Sequence, residues 1–154
     1  MLDEFDRKIL ATLQVDSSLS VQEVADRVGL SSTPCWRRIQ KLEEQGVIRA
    51  RVALLDSRQL NVGVTVFVSV RTNQHAMDWL QRFHAAVAAI PEVVELYRMA
   101  GDTDYLMRIV VPDIAAYDGV YKRLIQVPGL LDVSSSFAME QIKYSTALPL
   151  DYVR

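Results

Sequence analysis

The sequence predicts an α+β chain in two parts. Three observations carry this: a helical apolar period that runs with capping signals to Gly46, a switch to β-branched alternation at Val64, and the element order that follows the switch. The expected boundaries are 1–52 for a helical part, 53–63 for a linking strand and linker, and 64–154 for a mixed part.

The first helix is expected from Asp3 to Gln14, with Phe5, Ile9, Leu10 and Leu13 inward. Ser20 and Glu23 have capping-box spacing and start the second helix, whose buried face is Val21, Val24, Ala25 and Val28. Gly29 ends it, because glycine takes the left-handed conformation that turns the chain. Ser31 or Ser32 caps a third helix, and Pro34 falls within its first turn, where a missing N–H costs little. Cys35, Ile39 and Leu42 make that helix's buried stripe, and Gly46 stops it. Val47 to Leu55 alternates and reads as a linking strand, and Asp56 to Gly63 as a linker with one helical turn.

The second part reads as strand (Val64 to Arg71), helix (Ala76 to Ala89, inward Met77, Leu80, Phe83, Val87 and Ile90) and two strands around a turn (Val93 to Met99, Tyr105 to Val111). A helix (Ile114 to Ile125, inward Ile114, Tyr117, Val120, Tyr121 and Leu124) and a last strand (Val133 to Met139) follow. The order βαββαβ is that of a ferredoxin-like sandwich, with both helices on one face of a four-stranded antiparallel sheet. Nothing in the sequence covers the other face, so a homodimer is expected.

Composition bounds the function. The 154 residues are half hydrophobic, with a net charge of −2. No run approaches the roughly 18 apolar residues of a membrane helix. The acidic N-terminus lacks the apolar segment of a secretory signal, and one cysteine fits a reducing, cytoplasmic setting. The charge is unevenly placed. Residues 1–31 carry Arg7, Lys8 and Arg27 against six acids, whereas residues 32–52 carry Arg37, Arg38, Lys41, Arg49 and Arg51 against Glu43 and Glu44 alone. Positive charge concentrated on the second helix of a helix-turn-helix suits a DNA major groove. Ser32, Thr33, Trp36, Arg37, Arg38, Gln40 and Lys41 are the candidate contacts there, with Arg49 and Arg51 added as phosphate contacts. Arg pairs bidentately with guanine, Gln with adenine, and hydroxyls at a helix N-terminus bond phosphate.

In the second part, Gly101, Asp102, Thr103 and Asp104 form a turn between strands. Its backbone N–H groups can cradle a carboxylate, and Asp102 or Asp104 can receive an ammonium. The apolar neighbours Met99, Leu106 and Met107 either favour an aliphatic or sulfur-containing ligand side chain or simply face the core.

Five segments, taken in order, resemble the Lrp/AsnC family of transcription regulators. They are Leu2 to Leu10 (LDEFDRKIL), Leu30 to Arg38 (LSSTPCWRR), Leu42 to Ile48 (LEEQGVI), Gly101 to Leu106 (GDTDYL) and Ser135 to Lys143 (SSFAMEQIK). The resemblance implies a dimer built through the second domains, assembly to tetramers or octamers, and an amino-acid effector at a seam between dimers. It implies that Gly101, Asp102, Thr103, Asp104 and Tyr105 border the effector, with Thr103 standing where an aromatic is common. Ser134, Ser135 and Ser136 look like the stretch that approaches from a neighbouring dimer. It also implies a double-stranded operator near amino-acid metabolism or transport genes.

Other chemistry has little support. Cys35 lies on a buried stripe, which favours packing over sensing. His75 and His84 have no partner at metal spacing, and neither a nucleophile elbow nor a phosphate loop occurs. No metal or cofactor is expected beyond the effector. An enzyme reading rests only on the small hydrolases that share the sandwich, which is fold analogy. An architectural DNA binder without ligand is the third reading.

Overall fold

The computed structural model describes residues 1–153. The chain divides into two compact units, Met1–Leu54 together with the tail from Ile142 onward, and Leu55–Gln141.

The first unit holds α1 (Glu4–Leu13), α2 (Val21–Val28) and α3 (Ser32–Glu44). Both expected starts carry reciprocal capping boxes, Asp3 with Asp6 on α1 and Ser20 with Glu23 on α2. Each box satisfies helix N–H groups that lack intrahelical partners. Gly29 sits at φ 77° and turns the chain into α3. Ser31 is the N-cap of α3, though its side chain makes no capping bond. The core is Ile9, Leu13, Val24, Ala25, Val28, Cys35, Ile39 and Leu42. Burial pushes the Cys35 thiol above its ordinary pKa, the opposite of what a reactive thiolate needs.

The expected strand over residues 47–55 is absent. These residues carry no ladder, and all but Ile48 are exposed. A strand needs a neighbour to take its backbone hydrogen bonds, and no neighbour lies beside it among the described residues. The tail differs from expectation as well. The sequence assigns residues 142–154 to the second part, but the described tail lies along α1. Gln14 brackets Leu148, its Nε2 donating to the Leu148 carbonyl at 3.1 Å and its Oε1 accepting from the Leu148 N–H at 2.9 Å. Arg7 Nη2 donates to the Val153 carbonyl at 3.1 Å. Sequence periodicity says nothing of such a contact, made between groups more than 130 residues apart.

The second unit holds β1 (Val64–Thr72), α4 (Met77–Ala88), β2 (Val93–Arg98), β3 (Tyr105–Val111), α5 (Ile114–Leu124) and β4 (Leu130–Phe137). The sheet is antiparallel, in the order β2-β3-β1-β4. This is the expected ferredoxin-like arrangement. Val66, Val68 and Val70 of β1 and Tyr105, Met107, Ile109 and Val111 of β3 face the helices and are buried. The helix faces differ from expectation at their first residues. Met77 and Ile114 are about 70% exposed, and Trp79 takes the place assigned to Met77. Trp79 stacks on Phe83 with centroids 5.1 Å apart, and its Nε1 donates to the Pro128 carbonyl at 2.6 Å. An indole placed there satisfies its donor and buries a large area, which rotates the stripe to Trp79, Phe83 and Val87. β4 starts earlier than expected because Leu130 pairs with Thr72 across a register shift.

Candidate nucleic-acid interface and ligand cavity

The period of α3 turns Cys35, Ile39 and Leu42 inward, so Thr33, Trp36, Arg37 and Lys41 stand outward and exposed. Trp36 is half exposed. Among the described residues, Arg37, Lys41 and Arg49 form no ion pair. Their charge is available to phosphate or base edges.

The remaining candidates are engaged within the protein. Ser32 donates its hydroxyl to Gln22 Oε1, which ties α3 to α2. Gln40 Nε2 donates to Glu43 Oε2 at 3.2 Å, and Arg51 Nη2 to Glu43 Oε1 at 2.8 Å. The Arg51 pair is open to water, where such pairs are worth about 0–1 kcal/mol, so a phosphate can displace Glu43. Arg38 departs furthest from its expected role. Its Nη1 lies 2.7 Å from Asp3 Oδ2 and 2.8 Å from Asp6 Oδ1, and the guanidinium sits 5.5 Å from the Phe5 ring centroid. Asp3 is held below the usual carboxylate range, first by the Asp6 N–H and then by Arg38, while the two carboxylates raise the Arg38 pKa. Spacing along α3 could not reveal partners that lie on α1.

In the second unit a cavity of about 80 Å³ opens at the end of the sandwich, lined by Thr72, His75, Leu80, Arg98, Met99, Asp104 and Tyr105. Asp104 is held by its surroundings. Its Oδ2 accepts from the Thr72 N–H at 2.8 Å, and its own N–H donates to the Val70 carbonyl at 3.0 Å. The Asp104 carbonyl accepts from the Met99 N–H at 2.8 Å, closing the β2–β3 turn. Gly101 within that turn has φ 113°, which a side chain would strain. Tyr105 is buried against Phe83, centroids 4.7 Å apart, and desolvation raises its phenol pKa. Arg98 and Asp104 face the same cavity, yet no ion pair joins them. A cation and an anion separated across a small cavity suit a zwitterion, which supplies one opposite charge to each.

Of the eight residues expected around a ligand, Asp104 and Tyr105 line this cavity. Gly101 and Asp102 are exposed in the turn, and Thr103, half-buried beside them, does not line the cavity either. Ser134 and Ser136 stand on the open face of the sheet, whereas Ser135 faces the helices and hydrogen-bonds the Tyr117 hydroxyl. Within one chain the three serines therefore do not converge on the cavity. Of the expected apolar neighbours only Met99 lines it. Met107 is core and Leu106 belongs to the open face. Sequence reasoning missed Thr72, His75, Leu80 and Arg98, which come from three separate segments. The one available signal was Arg98, a cation placed just before the glycine turn.

A three-helix unit that exposes cations on its third helix, with a ferredoxin-like unit that holds a small polar cavity, is the make-up of a ligand-responsive DNA-binding regulator. Residues 2–49 match a family model for winged helix-turn-helix DNA-binding domains, and residues 65–148 match one for the Lrp/AsnC ligand binding domain. An AsnC family transcriptional regulator of Agrobacterium tumefaciens has a solved structure with TM-score 0.95, 64% identity and 99% coverage of each chain. The DNA-binding transcriptional activator DecR of Escherichia coli is 52% identical over 98% of this chain and 100% of its own. A transcriptional regulator of Neisseria meningitidis, solved as a complex with L-Met, is 37% identical with TM-score 0.94 over the full length of both chains. The chain belongs to the Lrp/AsnC family of transcription regulators.

Proposed function

We propose that this regulator answers to an amino acid held in the cavity beside β3, and that it controls amino-acid metabolism or transport genes from the cytoplasm. The carrying observation is the separated pair Arg98 and Asp104 lining one cavity. Arg98 receives the carboxylate, the unshared oxygen of Asp104 receives the ammonium, and Leu80 and Met99 meet the side chain. The complex of the Neisseria meningitidis relative with L-Met supports this ligand class. No metal or other cofactor enters the proposal. Self-association belongs to it, because Phe67 and Tyr97 stand 41% and 51% exposed on the open sheet face, and Val52, Leu54 and Leu55 are exposed in the linker. A second copy covers such surface most economically, as a dimer able to build tetramers or octamers. Ser134 and Ser136 then meet neighbouring subunits.

The test is a thermal-shift screen against the twenty amino acids and their α-keto acids, with assembly followed by light scattering. A ligand of the folded form raises stability by RT ln(1 + [L]/Kd), about 2.7 kcal/mol at a hundredfold excess over Kd. A selective rise for one amino acid and none for its keto acid is the expected result. A flat screen on folded protein favours a DNA binder without effector.

On the DNA side, Thr33, Trp36, Arg37 and Lys41 form the reading face, flanked by Arg49 and Arg51. Arg37→Ala is expected to weaken operator binding by about 1–3 kcal/mol if the guanidinium pairs with a guanine, with assembly state intact. Titration of a duplex selected from a random pool measures this. Unchanged affinity removes Arg37 from the face.

A further inference from the structure

We propose that Arg38 is a positioning residue for DNA reading: it locks α3 against α1 and makes no contact with DNA. The apolar contacts between these helices, through Ile9, Leu13, Ile39 and Leu42, resist separation but are non-directional. On their own they carry little orientational information between α1 and α3. The ion pair is the directional contact between α1 and α3, beside the Ser32–Gln22 bond that ties the start of α3 to α2. One guanidinium nitrogen reaches Asp3 Oδ2 at 2.7 Å and Asp6 Oδ1 at 2.8 Å, and the guanidinium packs on Phe5. The same two acids already bond each other's backbone, Asp6 N–H to Asp3 Oδ1 at 2.9 Å and Asp3 N–H to Asp6 Oδ2 at 3.1 Å. The middle of the reading helix is thus pinned to the capped first turn of α1. Swinging Arg38 out to a phosphate would strip a carboxylate that is only 13% exposed of its partner. That carboxylate would keep only the Asp3 N–H, and a nearly buried charge that has lost its ionic partner is costly. Arg37, one residue away and about 100° around the helix, points to solvent with no such partners.

The test uses the full-length protein and a duplex selected for tight binding from a random pool, with affinity measured across a salt series. A phosphate contact, when lost, lowers the slope of log affinity against log salt by about 0.9, whereas a positioning residue leaves the slope alone. Arg38→Met is expected to weaken binding on the order of tenfold at every salt concentration with the wild-type slope. Arg38→Lys recovers part of the loss, since a single nitrogen makes both contacts. Asp6→Asn separates the readings even if Arg38→Met fails to fold. Removing an acid from a DNA-binding unit tightens binding by simple electrostatics, but a broken lock weakens it, and the loss is less than additive with that of Arg38→Met. A reduced salt slope in Arg38→Met, or tighter binding by Asp6→Asn, overturns the proposal.

Discussion

Asp104→Ala is expected to abolish the amino-acid response and to destabilise the second unit by about 1–3 kcal/mol, the cost of leaving a part-buried donor without its acceptor. That donor is the Thr72 N–H, which Asp104 Oδ2 accepts at 2.8 Å. The alanine variant therefore mixes two effects, and two companions separate them. Asp104→Asn keeps an oxygen for Thr72 but loses the charge, so it retains most of the stability and loses the response. Arg98→Met removes a cation that has no ion-pair partner among the described residues, so its folding stability stays within about 0.5 kcal/mol of wild type. Its response to the amino acid is expected to vanish, because the carboxylate loses its charge partner. Urea unfolding gives the stabilities, and calorimetric titration with the amino acid found by thermal shift gives the response. A normal response in both Asp104→Asn and Arg98→Met would place the effector outside this cavity.

Phe83→Ala is expected to be the most damaging single truncation in the second unit, at about 3–5 kcal/mol. The ring is fully buried. It lies between Trp79, nearly parallel at 5.1 Å, and Tyr105, tilted at 4.7 Å. Removing it opens a cavity that neither neighbour can fill, because Trp79 is tied through its Nε1 to Pro128 and Tyr105 sits in a paired strand. The loss also reaches the ligand site, since Tyr105 lines it. Met77→Ala on the same helix is the control. Its side chain is 69% exposed, and the change is expected to stay within about 0.5 kcal/mol. Urea midpoints followed by tryptophan fluorescence measure both, and equal effects would contradict this account of the core.

The contrast between Phe83 and Met77 also marks the limit of reading a helix from its pattern. Period 3.6 made both inward, and only the placement of Trp79 beneath Pro128 decided which residue the sheet covers. Ile114 errs for a related reason: it is the first residue of α5, and the buried stripe begins a turn later at Tyr117. The linking strand illustrates a different limit. Alternation over Val47 to Leu55 is a statement about two faces, but a strand also needs a neighbour for its backbone, and pattern cannot supply one.

By itself the sequence determined the order of the five helices and of the four sheet strands, the cap at Ser20, the turn at Gly29, the outward face of α3 and the family. These features are local, set by side-chain spacing and by residues within four positions of one another. The tertiary structure alone decided which cations are committed and which are open. Arg38 and Arg37 are neighbours in sequence, yet Arg38 meets acids 35 and 32 residues away and Arg37 meets solvent. It also decided that Arg98, His75, Leu80 and Asp104, from separate segments, border one cavity while Ser134 and Ser136 face away on the open side of the sheet. An ionic partner or a cavity wall exists only once distant elements pack, and no period or spacing along the chain encodes which distant side chain will arrive there.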